Sequence, residues 1–411
     1  MTDQDRFIWH ADARLFAGSA EIARPAAAAV PSDLCIPAYP TEACLTRLTA
    51  QIAARGSFCV RNGAPLTGAE VPATHFVTLT GGSTGQPKAI LRSQKSWTAS
   101  FAQNAAIFGI VPGDSIAVLG RLSHSLALYG VLEGLHLGAD VHVLDSLSPR
   151  AQIAHCLRHG VRILYATPTQ LLRLARAAKG QRLPTLRLIL CGGGALQATG
   201  RAAVRPLAPN AALHVFYGAA ETSFVTLGGA DTPDGAVGAA YPGVTLRILD
   251  EAGQSTGGVG EVWVRSPYLF DGYLGAPGAE AHRRDGFVFV GEIGHLDGKG
   301  LLWLKGRRTR MITIADQNVY PEEVENFITE LPGVAACAVL PLPDALRGHR
   351  LVACLEGARD PRLSAAVTDA CRRRFGPLVA PRRVHFLDDL PRLVSGKTDH
   401  AELARLLEGG S

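Results

Sequence analysis

The sequence predicts an α/β protein. A large amino-terminal domain would hold mixed and parallel sheets with helices plus a β-barrel-like layer, followed by a small mobile α+β carboxyl-terminal domain. Three observations predict this. From Phe76, short aliphatic runs alternate with helical patterns. After about Gly235 the runs are joined by Gly/Asp turns. The carboxyl-terminal stretch then restarts as a compact unit. A chain of 411 residues is too long for one small core, and the boundary is placed so that 1–306 form the large domain and 307–411 the small one.

The elements follow in order. Residues 1–72 are weakly patterned, with "ARPAAAAVPSD" (Ala23–Asp33) reading as a Pro/Ala connector. "SIAVLG", "DVHVLD", "VRILYAT", "LRLILCGG" and "LHVFYG" are β-branched or aliphatic runs that predict buried strands. "YGVLEGLHLG" and "PTQLLRLARAAK" between them predict helices, so the sheet is largely parallel. Ligands gather at the carboxyl ends of such strands, where "LCGGG" and "VFYGAAE" put their glycines. "VTLRILDEAG", "GEVWVRSP" and "GFVFVGEIGHLDGKGLLWLKG" predict antiparallel strands on tight turns. "KGRRTR" breaks that pattern and predicts a hinge at Arg307–Arg310. In "YPEEVENFITELPG", Pro321 suits a first turn, Glu322 and Glu323 suit the amino-terminal dipole, and Val324, Phe327, Ile328 and Leu331 share one face.

Composition narrows the function. The chain is 47% hydrophobic and 19% charged with a net charge of +5, and its basic residues are interspersed with acids. A nucleic-acid partner is not expected, whereas anionic small molecules are compatible. Eight cysteines without a CxxC pair sit mostly in apolar runs and read as reduced buried thiols. No HExxH sequence occurs, so a zinc site is not expected. Neither a secretory signal nor a membrane span is expected, which leaves a cytoplasmic enzyme as the expected class.

"TGGSTGQPK" raises the chemical question. Gly81, Gly82 and Gly85 let the backbone turn its N–H groups towards an anion. Thr80, Ser83 and Thr84 add hydroxyls, and Lys88 adds a point charge. The pattern is not a Walker A loop. From these residues alone, a phosphate cradle and a plain surface loop both stand.

In context this stretch resembles the Ser/Thr/Gly-rich signature loop of the adenylate-forming superfamily, which includes acyl-CoA synthetases, adenylation domains and luciferases. "FYGAAET" is similar to its YGxTE element, and "GVGEVWVRSPYLFDGYLG" resembles its GEIxVRGxxxxxGY segment. "GFVFVGEIGHLDGKGLLWLKGRRTRMI", "QNVYPEEVE" and "PRLVSGKTDH" resemble the remaining signatures, in the family's order, across residues 76–405. The resemblance implies ATP and Mg2+. Residues Thr80–Gly85 with Lys88 would cradle phosphates. Tyr217, followed by Gly218 and Ala219, would stack on adenine, and Glu221 would hold Mg2+. Glu292 and Arg307 would reach the ribose, and Lys397 would bridge the substrate carboxylate and the α-phosphate. A carboxylate would attack the α-phosphorus of ATP, expel pyrophosphate, and pass as acyl-AMP to a phosphopantetheine thiol of CoA or an acyl carrier protein.

The family pattern is broken at several positions. Gly81 stands where serine or threonine is usual, Ala220 replaces the threonine of YGxTE, and Glu292 replaces an aspartate. Arg310 stands at the aspartate pivot, and Asp316 at a glycine near the thiol tunnel. These changes motivate an alternative, a degenerate nucleotide-binding scaffold or sensor. The region before the signature loop is short, which suggests a homodimer. By resemblance, the acid pocket would involve His124, Ser125, Gly192, Gly193, Gly194 and Thr222. Ser125 stands where amino-acid-activating relatives carry aspartate, so an aryl or aliphatic acid is expected rather than an amino acid.

Overall fold

The computed structural model describes residues 5–25, 34–61, 70–79, 88–275, 282–315, 317–344, 346–393 and 398–409. Most of the predicted connector (26–33), Asp316, residues 80–87 and Lys397 lie outside the described residues.

Five strands run parallel in the spatial order Asp140–Val143, Ser115–Val118, Ile163–Ala166, Leu188–Cys191 and Ala212–Ala219. Ser115–Val118, Ile163–Ala166 and Leu188–Cys191 are buried at every position, because helices cover both faces. Helix Ser125–Leu137 packs Leu128, Leu132 and Leu135 against Ile116, Val118 and Val141 on one face. Helices Pro149–Arg158 and Pro168–Ala178 pack Ile153, Leu171 and Leu174 against Ala117, Leu164 and Ile189 on the other. Local signals delimit these helices. Ser148 accepts from Ala151 N ahead of Pro149, Thr167 and Gln170 form a capping box ahead of Pro168, and Gly138 ends its helix in a left-handed conformation.

Ala212–Ala219 is the switch strand. It pairs in parallel with Leu188–Cys191 and antiparallel with Ser223–Gly228. Ala236–Ala240, Leu301–Arg307, Phe287–Leu296, Gly260–Arg265 and Thr245–Leu249 continue outward from there. The antiparallel strands expected after Gly235 are present. Among the described residues, hydrogen bonding through Ser223–Gly228 joins them to the parallel strands in one fourteen-stranded sheet. A second sheet orders Gly272–Leu274, Ala89–Ser93, His75–Leu79, Cys59–Arg61 and Cys35–Pro37. Its strands His75–Leu79 and Ala89–Ser93 flank residues 80–87.

The large sheet's strand ends at Arg307 and a short 3-10 turn follows at Arg308–Arg310. Beyond it stand the hairpin Ile312–Ile314/Gln317–Val319, helix Pro321–Glu330 and a three-stranded sheet of Cys337–Asp344, Gly348–Glu356 and Arg383–Leu387. These close around their own core of Ile314, Val324, Ile328, Val339, Leu351 and Val367. Pro321 opens the helix, Glu322 and Glu323 lie in its first turn, and Phe327 and Leu331 pack beside the core.

None of the eight cysteines forms a disulfide. Burial pushes the thiols of Cys44, Cys59, Cys156 and Cys191 up to about 12, which keeps them protonated and unreactive. Among the described residues no helix is long and apolar enough to cross a membrane. Although no HExxH sequence occurs, three histidines meet in space. His142, His155 and His159 come together, and burial, before their mutual repulsion, pushes His142 down to about 3 and His155 to about 4.

Glu133, with no exposed surface, lies in the middle of helix Ser125–Leu137. Asn104 Nδ2 donates to it at 2.7 Å, and the Tyr165 hydroxyl donates to its other oxygen. Burial pushes this carboxyl from 4.5 up to about 7, against the pull of Tyr165, Asn104 and Tyr129. The folded state therefore keeps a proton that the unfolded chain releases above its ordinary value. Stability from this group is full below about pH 4.5 and is lost as pH rises to about 7. Relative to Glu133→Gln, the wild type is expected to lose on the order of 3 kcal/mol across that window. Urea unfolding of both proteins between the two pH limits checks this, and parallel pH profiles would refute it.

Candidate active site

The turn between the switch strand and Ser223–Gly228 carries Tyr217 to Thr222. Gly218 sits at a bulge in the strand register. A Cβ there would stand 2.0 Å from the Ser223 carbonyl oxygen, so only glycine lets the chain fold back this tightly. Thr222 is fully buried. Its hydroxyl accepts from Ala219 N at 3.1 Å and its own N–H donates to Ala219 O at 3.1 Å. Thr222 thus braces the turn from behind instead of facing an open pocket.

Arg92 holds the turn from inside. It lies on strand Ala89–Ser93 with no exposed surface. It donates to Ala220 O at 2.6 Å, to Ser223 Oγ at 2.9 Å and to the Tyr268 carbonyl. Trp97 Nε1 donates to the same Ser223 Oγ at 3.0 Å. Burial pushes the guanidinium down to about 10, with Asp271 and Glu221 opposing, and it stays charged at neutral pH. Sequence reasoning missed this residue. Its signal was a lone charge inside the apolar strand "AILRS" directly after the glycine loop.

Five of the sequence-derived site residues converge here. Arg307 Nε donates to Glu292 Oε1 at 3.1 Å across the paired strands that carry them. Burial raises the Tyr217 phenol well above its ordinary range, Glu292 and Glu221 push it further, and Arg307 opposes them. All three charges thus act on the Tyr217 hydroxyl. The Tyr217 hydroxyl is buried and has no hydrogen-bond partner among the described residues. Burial alone would lower Arg307, but Glu292, Tyr217 and Glu221 outweigh it and raise its pKa. The Tyr273 hydroxyl donates to Glu221 Oε1 at 3.0 Å, and Lys88 Nζ lies 5.1 Å from the Tyr273 ring centre. Tyr273 was also missed, although it is the tyrosine of the quoted "DGYLG" segment.

The remaining positions divide. Thr80, Gly81, Gly82, Ser83, Thr84, Gly85 and Lys397 lie outside the described residues. His124 precedes helix Ser125–Leu137 in an extended conformation, and Ser125 Oγ pairs with Thr78 Oγ1 at 2.7 Å. That contact ties the start of this helix to the strand that enters residues 80–87. Gly193 and Gly194 are exposed after the end of Leu188–Cys191. Gly192 is buried, and a Cβ there would stand 2.2 Å from the Phe216 ring. The space beside Gly192 is therefore filled by Phe216 rather than open for a substrate.

The AMP-binding enzyme profile matches residues 40–274, and the AMP-binding enzyme C-terminal domain profile matches 323–397. The chain belongs to the AMP-binding enzyme family. By that membership it is an AMP-forming ligase of the acid-activating type. A curated family member, the 3-hydroxybenzoate–CoA ligase of Aromatoleum sp. (strain CIB), is 31% identical, with 85% of this chain and 70% of the relative covered. The amide bond synthetase McbA of Marinactinospora thermotolerans is 29% identical with a TM-score of 0.73, over 85% of this chain and 72% of that one. The o-succinylbenzoate CoA synthetase of Bacillus subtilis, solved with its acyl-adenylate intermediate, is 25% identical with a TM-score of 0.71, over 80% and 68%.

Arg92→Met keeps the volume but leaves the Ala220 and Tyr268 carbonyls without their buried donor. It is expected to lower unfolding stability by on the order of 3 kcal/mol. Urea midpoints measure this, and a loss below a third of that value would show that the turn does not depend on Arg92.

Proposed function

We propose that the chain adenylates an aryl carboxylic acid with ATP and transfers the acyl group to the thiol of CoA. The observation that carries this reading is the meeting of Tyr217, Glu221, Glu292, Arg307 and Lys88 where the sheet switches from parallel to antiparallel. An acid oxygen forms a bond to the α-phosphorus as the bond to pyrophosphate breaks. The thiolate then forms a bond to the acyl carbon, and AMP leaves with the electron pair. No enzyme nucleophile is needed, because AMP is already a good leaving group.

The residues divide the work. Tyr217 would present its ring to adenine, and Glu292, oriented by Arg307, would accept from the ribose hydroxyls. Lys88 and the loop 80–85 would hold the β- and γ-phosphates, and Lys397 would bridge the acid and the α-phosphate. Glu221 fits a Mg2+ ion, since one oriented carboxylate beside substrate phosphates is the usual setting for this hard cation. When bound, the ion would neutralise phosphate charge. Tyr273 would orient Glu221 through its hydroxyl. The choice of an aryl acid draws on the hydroxybenzoate- and succinylbenzoate-activating relatives and on Ser125, which offers no charge for an ammonium group. CoA follows the same relatives, and an amine acceptor, as in the amide synthetase, is the outcome against which the thiol is tested.

Acid-dependent exchange of pyrophosphate into ATP tests the first half. Hydroxybenzoates are expected to support exchange better than straight-chain acids. No exchange with any acid on a broad panel would overturn the reading in favour of a non-catalytic nucleotide-binding scaffold. Glu221→Gln is expected to slow exchange by about 100-fold or more, and Lys397→Ala to abolish most of it while ATP still binds. Unchanged rates in either variant would remove that residue from its role. Mass analysis of the product formed with CoA, holo carrier protein and small amines in competition identifies the acceptor.

A further inference from the structure

Away from the nucleotide site, His142, His155 and His159 gather on the opposite side of the fold. His142 lies on strand Asp140–Val143 and is 2% exposed. His155 lies in the last turn of helix Pro149–Arg158 and is 4% exposed. His159 caps the same helix and is partly exposed. The helix starts beyond the carboxyl end of the strand and runs back, so its last turn stands near the strands' amino ends. The nucleotide residues stand at the carboxyl end of the switch strand. The two places are separate.

The geometry is that of a ligand set. One ring nitrogen from each histidine lies within 4.8 Å of the others. His155 Nε2 and His142 Nδ1 are already 3.0 Å apart, close to the spacing of about 3.3 Å expected for two imidazoles on one tetrahedral ion at about 2.0 Å. His155 and His159 are four residues apart, so one helix face presents both, the spacing by which helical histidine pairs share an ion. Their rings are stacked at 4.2 Å, and rotation of the partly exposed His159 would bring its nitrogen in. Phe16 stacks on His142 at 4.6 Å and fixes that ring. The nearby cation Arg14 is engaged by Asp140, so it does not present a bare charge to an incoming ion.

We propose that His142, His155 and His159 form a transition-metal site, which takes a divalent ion of the zinc, nickel or copper class and leaves one coordination position to water. Three imidazoles suit these borderline ions and not Mg2+ or Ca2+. The ion would staple the edge-side strand Asp140–Val143 to helix Pro149–Arg158, apart from the adenylating residues.

Equilibrium dialysis of the chelator-stripped full chain against zinc chloride tests the site. One zinc per chain is expected, with a rise in thermal midpoint. Loss of an outer-shell partner alone typically weakens metal binding about 10- to 100-fold, so His155→Ala and His159→Ala are each expected to weaken it at least about tenfold. His282→Ala, an exposed histidine on another strand, is expected to bind as wild type. His159→Ala should keep the metal-free thermal midpoint of the wild type, which separates ligand loss from misfolding. Cobalt in place of zinc should give the visible absorption of a four-coordinate ion, lost in the same variants. Absence of stoichiometric zinc, or zinc binding as tight as wild type in His155→Ala and His159→Ala, overturns the proposal. Pyrophosphate exchange has no part in this readout.

Discussion

The site depends on one buried cation. Arg92 has no exposed surface, and taking a guanidinium out of water costs several kcal/mol. The structure offsets that cost with two carbonyl acceptors and a hydroxyl. All three belong to segments that carry site residues. Ala220 and Ser223 flank Glu221, and Tyr268 begins the segment that leads to Tyr273. Each backbone carbonyl would be an unpaired buried acceptor without Arg92, so the turn and the cation require each other. Glu221 is thereby placed by a strand from the second sheet, not only by its own hairpin.

That arrangement explains why chemistry collects at this point of the fold. In the parallel half, strand ends are followed by loops and helices, and backbone there is free to meet a ligand. In the antiparallel half, neighbouring strands face each other in register, which is how Glu292 stands opposite Arg307. The switch strand belongs to both halves. It can therefore set Tyr217 beside an ion pair from the antiparallel side and Glu221 on a loop at the parallel side's open end. Two carboxylates and a phenol around one arginine leave local negative charge, which suits hydroxyl donors and a cation more than a bare phosphate. The phosphate-binding role falls to Lys88 and the glycine loop.

Much of this was legible in the sequence because it is written in local chemistry. The buried runs "ILYA" and "LILC" have no alternation, so they had to be covered on both faces, and they are. Pro321 with two glutamates announced its helix. What sequence could not show was pairing at a distance. Arg92 meets residues more than a hundred positions away, and nothing local to "AILRS" names those partners. Gly192 was assigned to the acid pocket by resemblance, and nothing local to it shows that Phe216 from the neighbouring strand fills the space beside it. The histidine cluster hid in the same way. His155 and His159 share a helix face, but the third ring comes from a strand whose register places it there. Tight turns specified antiparallel pairing after Gly235, but not that these strands continue the parallel sheet through Ser223–Gly228.

The substitution of arginine for the family's pivot aspartate has a physical counterpart in helix Pro321–Glu330. Arg310 meets Glu322 at 3.4 Å and Glu325 at 2.9 Å, and donates to the Val339 carbonyl at 3.1 Å. Lys305 pairs with Glu323, and Arg307 N donates to Glu322 Oε1 at 3.4 Å. Gly306, at φ +152°, lets Glu322 approach, since a Cβ there would stand 2.7 Å from its Oε2. The acidic first turns of this helix thus receive Lys305 and Arg310, while the Arg307 and Arg308 side chains turn back to Glu292 and Glu261 of the large sheet. The side chains of these pairs keep 15–30% of their surface open to solvent, and such solvent-screened pairs contribute on the order of 1 kcal/mol each. Their sum is smaller than the binding free energy of a nucleotide at micromolar affinity, about 8 kcal/mol. A nucleotide held at Arg307 would therefore outweigh the Lys305 and Arg307 contacts. Arg310 would remain with the helix, because its partners Glu325 and Val339 lie within the same unit. On this reasoning the arginine ties position 310 to helix Pro321–Glu330 and to the Val339 carbonyl rather than to the large sheet.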